Sequence, residues 1–200
     1  MKKTILFAAA AVVALVCASN VEAQTKKQMK DAKKAAKELS KDGWKTDGGH
    51  KTIEALLLDY YALETENELV SGRSSGVKKN TKVARSLAKQ NAAREYVQMN
   101  TAFFEGAGSE LEGKLGGETM DDITNAVKTR FAGSVDGKLS VSFVLFKNEA
   151  DATISCIAYC YINRNVAEQM RQNAMRSALN DADNVKDHQA KIGEIINAAN

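Results

Sequence analysis

The chain has 200 residues with 28 basic and 25 acidic side chains, a formal net charge of +3, no proline and three cysteines. A balance so close to neutral gives no global commitment to nucleic acid or anionic lipid, and the length suits one domain with a real core rather than several. Three cysteines cannot make a disulfide framework.

Lys2 and Lys3 precede an apolar run from Ile5 to Val16, and Val21-Glu22-Ala23 offers small or aliphatic residues where a signal peptidase reads. Residues 1–23 are therefore expected to be an export signal cleaved after Ala23. The apolar run is too short to span a bilayer of about 30 Å, and no later run approaches the roughly 20 residues a spanning helix needs. Cys17 raises a lipoprotein alternative, but bulky Val16 sits where a lipobox has a small residue, so lipidation is not expected.

Residues 24–49 read as a lysine-rich helix and a connection. Ala32, Ala35, Ala36 and Leu39 make a thin apolar stripe, and Lys26, Lys30, Lys33, Lys34, Lys37 and Lys41 crowd the remainder. Such a helix is either a solvated leader or a peripheral contact for an anionic surface. Asp42-Gly43 and Asp47-Gly48-Gly49 break it, leaving Trp44 in a short link whose ring packs at the core edge.

A single α+β domain is expected over 50–179. Ile53, Leu56, Leu57, Tyr60 and Leu63 recur at helical steps. Leu69-Val70-Ser71-Gly72 then reads as a short strand that ends in glycine and serine. Gly72-Arg73-Ser74-Ser75-Gly76 matches the G-x-S-x-G nucleophile elbow, which would make Ser74 the nucleophile of a small serine esterase. That reading is the alternative, not the main one. The one downstream histidine is His188, in a polar stretch, and no series of parallel strands precedes the serine. The bland account is a strand end whose glycines release the chain into a helix.

The next helix, 80–104, places Ala84, Leu87, Ala88, Ala92, Tyr96, Met99 and Phe103 on or near one face. The succession Val70-Ser71-Gly72-Arg73-Ser74, then the alanine-rich stretch Val83 to Arg94, then a hairpin and a helix, resembles the LPP-twenty lipoprotein family and related exported Gram-negative proteins. The likeness covers roughly Glu68 to Leu179. It implies a small envelope protein without established enzymatic chemistry, and no functional residue carries over from it.

Gly106-Ala107-Gly108 is expected to end this helix, with glycines 113, 116 and 117 keeping the following linker loose. Gly108 to Lys114 has Walker A spacing, but Leu115 replaces the magnesium-binding hydroxyl and two glutamates sit where phosphates would lie. Thr119 to Ala132 reads as helix, capped at Thr119, with Met120, Ile123, Val127 and Phe131 inward; a strand over 128–135 is the competitor.

The clearest signal is a β-hairpin over 138–162. Leu139, Val141, Phe143 and Leu145 alternate with polar residues, as do Ile154, Cys156, Ala158, Cys160 and Ile162, around a turn at Asn148 to Asp151. Cys156 and Cys160 lie on one strand face roughly 13 Å apart, too far to bond to each other, and read as small buried thiols. Tyr159 and Tyr161 point to the other face as candidate contact residues. A last helix begins at Asn163 or Asn165 and buries Val166, Met170, Ala174, Ala178 and Leu179. Residues 180–200 form a sparse helical tail.

The expected architecture is α+β, a small antiparallel sheet of about three strands with helices mainly on one face. No catalytic, cofactor or metal residues are nominated: His50 and His188 lack companions at ligand spacing. The expected role is that of an exported periplasmic or outer-membrane-periphery protein. It would act through an envelope protein partner or self-association, without a specific nucleic acid and without a cofactor.

Overall fold

The computed structural model describes residues 26–78, 80–115 and 117–181. Residues 1–23, read above as an export signal, with Cys17, and the tail beyond Asp181 with His188, lie outside the described residues. The chain is α+β, with five helices and four strands among the described residues. By compactness it divides into two units, one ending at Ala62 and one beginning at Leu63. That division falls inside the 50–179 stretch read as one domain, because a 3₁₀ turn at Leu63–Thr65 separates the second helix from everything after it.

In the first unit, helix α1 (26–41) buries Ala32 and Ala36, half-buries Ala35 and Leu39, and exposes every lysine it carries. Its end is closed by Trp44 N–H donating to Leu39 O and Asp42 N–H to Glu38 O, and Gly43 turns the chain at φ +88°. That conformation is cheap only for glycine. A two-residue strand, β1 (Lys45–Thr46), occupies the link read as an irregular connection. Trp44 is buried, and its Nε1 donates to Asp42 Oδ2 at 2.9 Å. Helix α2 (Ile53–Ala62) starts behind Thr52, whose Oγ1 accepts from Ala55 N–H, and it buries Ile53, Leu57 and Tyr60. Gln28 Nε2 donates to Tyr61 O and so ties α1 to α2.

The second unit is built on three long antiparallel strands, β2 (Asn67–Lys78), β3 (Ser140–Asn148) and β4 (Thr153–Asn163), in the order β3-β4-β2. The hairpin is present as expected, with Leu145 opposite Ile157 and the turn closed by Glu149 N–H donating to Thr153 O at 2.9 Å. One detail differs. The register shifts between Val141 and Phe143, so the Leu139 to Leu145 alternation does not stay on one face. Val144 and Phe146 join Cys156 and Ala158 on the helix-covered side, Phe143 stacks on Tyr159 on the other, and Val141 is exposed. A bulge inserts one residue and thereby exchanges the two faces of a strand.

Helix α3 (Thr81–Leu115) runs through Gly106 and Gly108 instead of ending there, and α4 (Gly117–Val135) follows at once. The expected loose linker is therefore helical, and Thr119 lies inside α4 rather than at its cap. Glutamate, leucine and lysine around the glycines are good helix formers, and each glycine costs only about 1 kcal/mol. The strand alternative for 128–135 is not realised: Ile123, Val127, Phe131 and Val135 form the buried stripe of α4.

On α3 the buried row steps by four through Ala84, Ala88, Ala92, Tyr96, Asn100 and Phe104, while Leu87, Met99 and Phe103 are exposed. Helix α5 (Arg164–Asp181) is capped by Asn163, whose Oδ1 accepts from Asn165 N–H. It buries Ala167, Met170, Ala174 and Ala178 and leaves Val166 exposed. The α3, α4 and α5 stripes meet Val70, Val144, Cys156, Ala158, Cys160 and Ile162 in one core.

Candidate functional site

The elbow-like motif is where sequence and structure part most clearly. Strand β2 continues to Lys78, so Gly72 to Gly76 is strand rather than a strand-turn-helix corner. Ser74 is buried and its hydroxyl donates to Ala84 O at 2.8 Å. A nucleophile elbow holds its serine exposed on a strained turn, beside a base. Here the hydroxyl proton is already spent on a helix carbonyl.

The glycines have separate duties. Gly72 lies so close to α3 that a Cβ would collide with the backbone of Ala92 and Ala88. Gly76 sits at φ +70° beside the register shift between Ser74 and Val77 and has open space around it. Asn91 Nδ2 donates to Arg73 O at 2.7 Å, so polar groups also pin this end of the strand to α3. The Walker-like run Gly108 to Lys114 is helical, which removes the loop of backbone N–H groups that cradles a phosphate.

Cys156 and Cys160 are fully buried and are not joined in a disulfide, as small thiols under helices should be. Burial pushes the Cys160 thiol up to about 11, against a lesser pull downward from the charge of Lys89. A thiol held that far from ionisation is a poor nucleophile and metal ligand at neutral pH. His50 is exposed. Among the described residues no three His, Cys, Asp or Glu side chains are placed to hold a metal ion.

A polar cluster that sequence reasoning missed joins β2, α3 and α5. Arg171 donates from Nη2 to Glu68 Oε1 at 2.7 Å and from Nη1 to Glu68 Oε2 at 3.1 Å, and Tyr96 Oη donates to the same Oε2 at 2.7 Å. Nη1 also reaches Asn100 Oδ1 at 3.0 Å, and Asn100 Nδ2 donates to Tyr96 O at 2.9 Å. Burial alone would raise the Glu68 carboxyl, but the bonds from Arg171 and Tyr96 and the charges of Arg171 and Arg164 outweigh it, leaving the group below its usual range. Burial, reinforced by the Glu68 carboxylate, pushes the Tyr96 phenol well up. Burial would lower Arg171, yet its bonds to Glu68 raise it. The shifts favour an ionised Glu68, a neutral Tyr96 and a charged Arg171, the combination in which the cluster clamps β2, α3 and α5 together. Its sequence signal was faint: Tyr96 and Asn100 at four-residue spacing on an otherwise apolar row.

A groove of about 630 Å³ runs along α3, between that helix, the end of α4 and the connection from α4 to β3. Ala93, Val97, Val135 and Leu139 line it with apolar surface, and Lys89, Arg94 and Asp136 stand among its polar residues. Ser74 and the Glu68–Arg171 cluster do not line it. No sequence motif marks the groove, because its residues come from three elements and are ordinary in type.

In the first unit, α1 carries seven lysines, the six of the sequence stripe and Lys27, all exposed. At 3.6 residues per turn they fall on an arc of roughly 120° on the side away from Ala32 and Ala36. Asp31 and Glu38 lie on one flank of that arc. Like charges four apart, as at Lys30–Lys34, Lys33–Lys37 and Lys37–Lys41, each cost a helix about 0.2–0.5 kcal/mol.

Among the described residues no helix is long and apolar enough to cross a membrane. Comparison with known proteins gave no matching family model, no matching curated protein and no matching solved structure.

Proposed function

We propose that the chain is an exported, non-catalytic protein of the bacterial cell envelope that works by binding a protein partner, its own copies included. The observation that carries this reading is the contrast between the groove and the motif. An open groove of about 630 Å³ combines an apolar lining with a few charged groups, the composition of a recognition surface. The serine of the elbow-like motif is buried and hydrogen-bonded to Ala84. Export is supported by the leader-like residues 1–23, and an envelope role by the resemblance to the LPP-twenty lipoprotein family. The serine esterase alternative has only the literal G-x-S-x-G spacing behind it.

Fractionation of cells expressing the full chain, with mass spectrometry of its N-terminus, tests export: a product beginning at Gln24 in the periplasm is expected. Recovery of intact Met1 in the cytosol would sink that half of the reading. Light scattering and cross-linking in the envelope fraction test binding, and R94E with K89E should abolish the complex without unfolding the monomer. Hydrolysis of generic esters that disappears in Ser74→Ala would replace the binding role with the esterase.

A further inference from the structure

We propose that the lysine face of α1 is a docking surface for an anionic phospholipid bilayer, held by charge alone and without insertion. The seven lysines between Lys26 and Lys41 share one face and are all exposed. They extend over roughly 22 Å at 1.5 Å per residue, a straight row of positive charge suited to a plane of headgroups. The opposite stripe, Ala32 and Ala36, is already buried within the protein. Met29 is the large apolar side chain that α1 exposes, and a single side chain is not the broad apolar face by which an amphipathic membrane helix sinks between acyl chains.

Six of the seven lysines are also without an ion-pair partner among the described residues. Lys27, Lys30, Lys33, Lys34, Lys37 and Lys41 form no ion pair with any described residue, and neither do Asp31 and Glu38 on its flank. Their like-charge neighbours along the helix repel one another, and a surface of negative charge relieves that repulsion.

The residue types choose between polyanions. Lysine is a compact point charge that suits dispersed phosphates, whereas nucleic-acid readers add arginine forks and stacking aromatics. The α1 face has neither. The inference stands apart from export, since the face is a property of the folded helix.

The test is flotation of the protein, in the form that cells accumulate, with vesicles of phosphatidylcholine alone or doped with phosphatidylglycerol. At low salt, partition onto the anionic vesicles should exceed that onto the neutral ones by at least tenfold, and about 0.5 M NaCl should erase the difference. Replacing Lys30, Lys34 and Lys37 by glutamine should weaken anionic binding roughly a hundredfold with the circular dichroism unchanged. D31N with E38Q, which raises the charge, should tighten it, a gain that misfolding cannot mimic. Equal binding to both vesicles, or indifference to these substitutions, would overturn the proposal. So would tighter binding to duplex DNA than to anionic vesicles at the same salt.

Discussion

At its Gly72 end, β2 meets α3 with no side chain between the two backbones, whereas at its Glu68 end the same two elements are joined through a carboxylate, a phenol and a guanidinium supplied by α5. One strand and one helix thus use two kinds of attachment a few residues apart. The close end depends on shape. It tolerates no added atom, and its energy is the dispersion and apolar burial of small groups packed at crystal-like density. The clamped end depends on charge and geometry, responds to pH, and is partly open to water, with Glu68 28 % and Arg171 19 % exposed at the side chain. Interior positions can be specified by what is missing from a side chain as firmly as by what is present.

Six substitutions break or sharpen this contrast. Gly72→Ala should be the most damaging, at about 3 kcal/mol or more, because the new methyl must push backbone rather than a flexible side chain. Gly76→Ala is its control: the space is open and only the positive φ is penalised, at about 1 kcal/mol. Urea unfolding of both variants should show the first far below the second.

Arg171→Ala should cost about 2–3 kcal/mol, since it leaves Glu68 half-buried with only Tyr96 as partner. Arg171→Lys should recover part of this and lose the two-pronged geometry.

The two ends should also separate by pH. Glu68 is held below its ordinary value of 4.5, so its contribution is complete above that value and is lost as pH falls through the folded value. The stability gap between wild type and Glu68→Gln should narrow on acidification, while the deficit of Gly72→Ala stays constant. A gap independent of pH would show that the clamp is not electrostatic.

Ser74→Ala should have a small effect, comparable to that of Gly76→Ala at about 0.5–1.5 kcal/mol in chemical denaturation, because it removes one hydroxyl donor to a helix carbonyl.

The hairpin was legible because its apolar residues repeat every second position, and α4 because Ile123, Val127 and Phe131 repeat at helical spacing. The alanine row of α3 was legible at Ala84, Ala88 and Ala92. Beyond Tyr96 it was not: expectation followed Met99 and Phe103, the structure buries Asn100 and Phe104, and a strict four-residue step drifts around a helix of 3.6 residues per turn. Residues 72–76 hid a strand because glycine and serine are weak strand formers, and at Gly72 the helix lies too close to admit anything larger. The face exchange in β3 left no trace either, since the alternation from Leu139 to Leu145 continues across the bulge. The groove and the clamp each draw on three elements, and such sites become visible only when topology brings the elements together.

The pairing of β2 has a consequence in time as well as in space. Strand β2 lies at an edge of the sheet and takes β4 as its ladder partner, Asn67 opposite Asn163. Arg164 N–H seals that end by donating to Glu66 O, and its guanidinium donates to Glu64 O. Closing so long a loop is entropically slow compared with forming the β3–β4 hairpin or the α3–α4 pair. During synthesis, β2 therefore waits for a ladder until Thr153 and the residues after it have left the ribosome. The sheet of the second unit is thus completed only near the end of the chain, long after the residues of the first unit have been made.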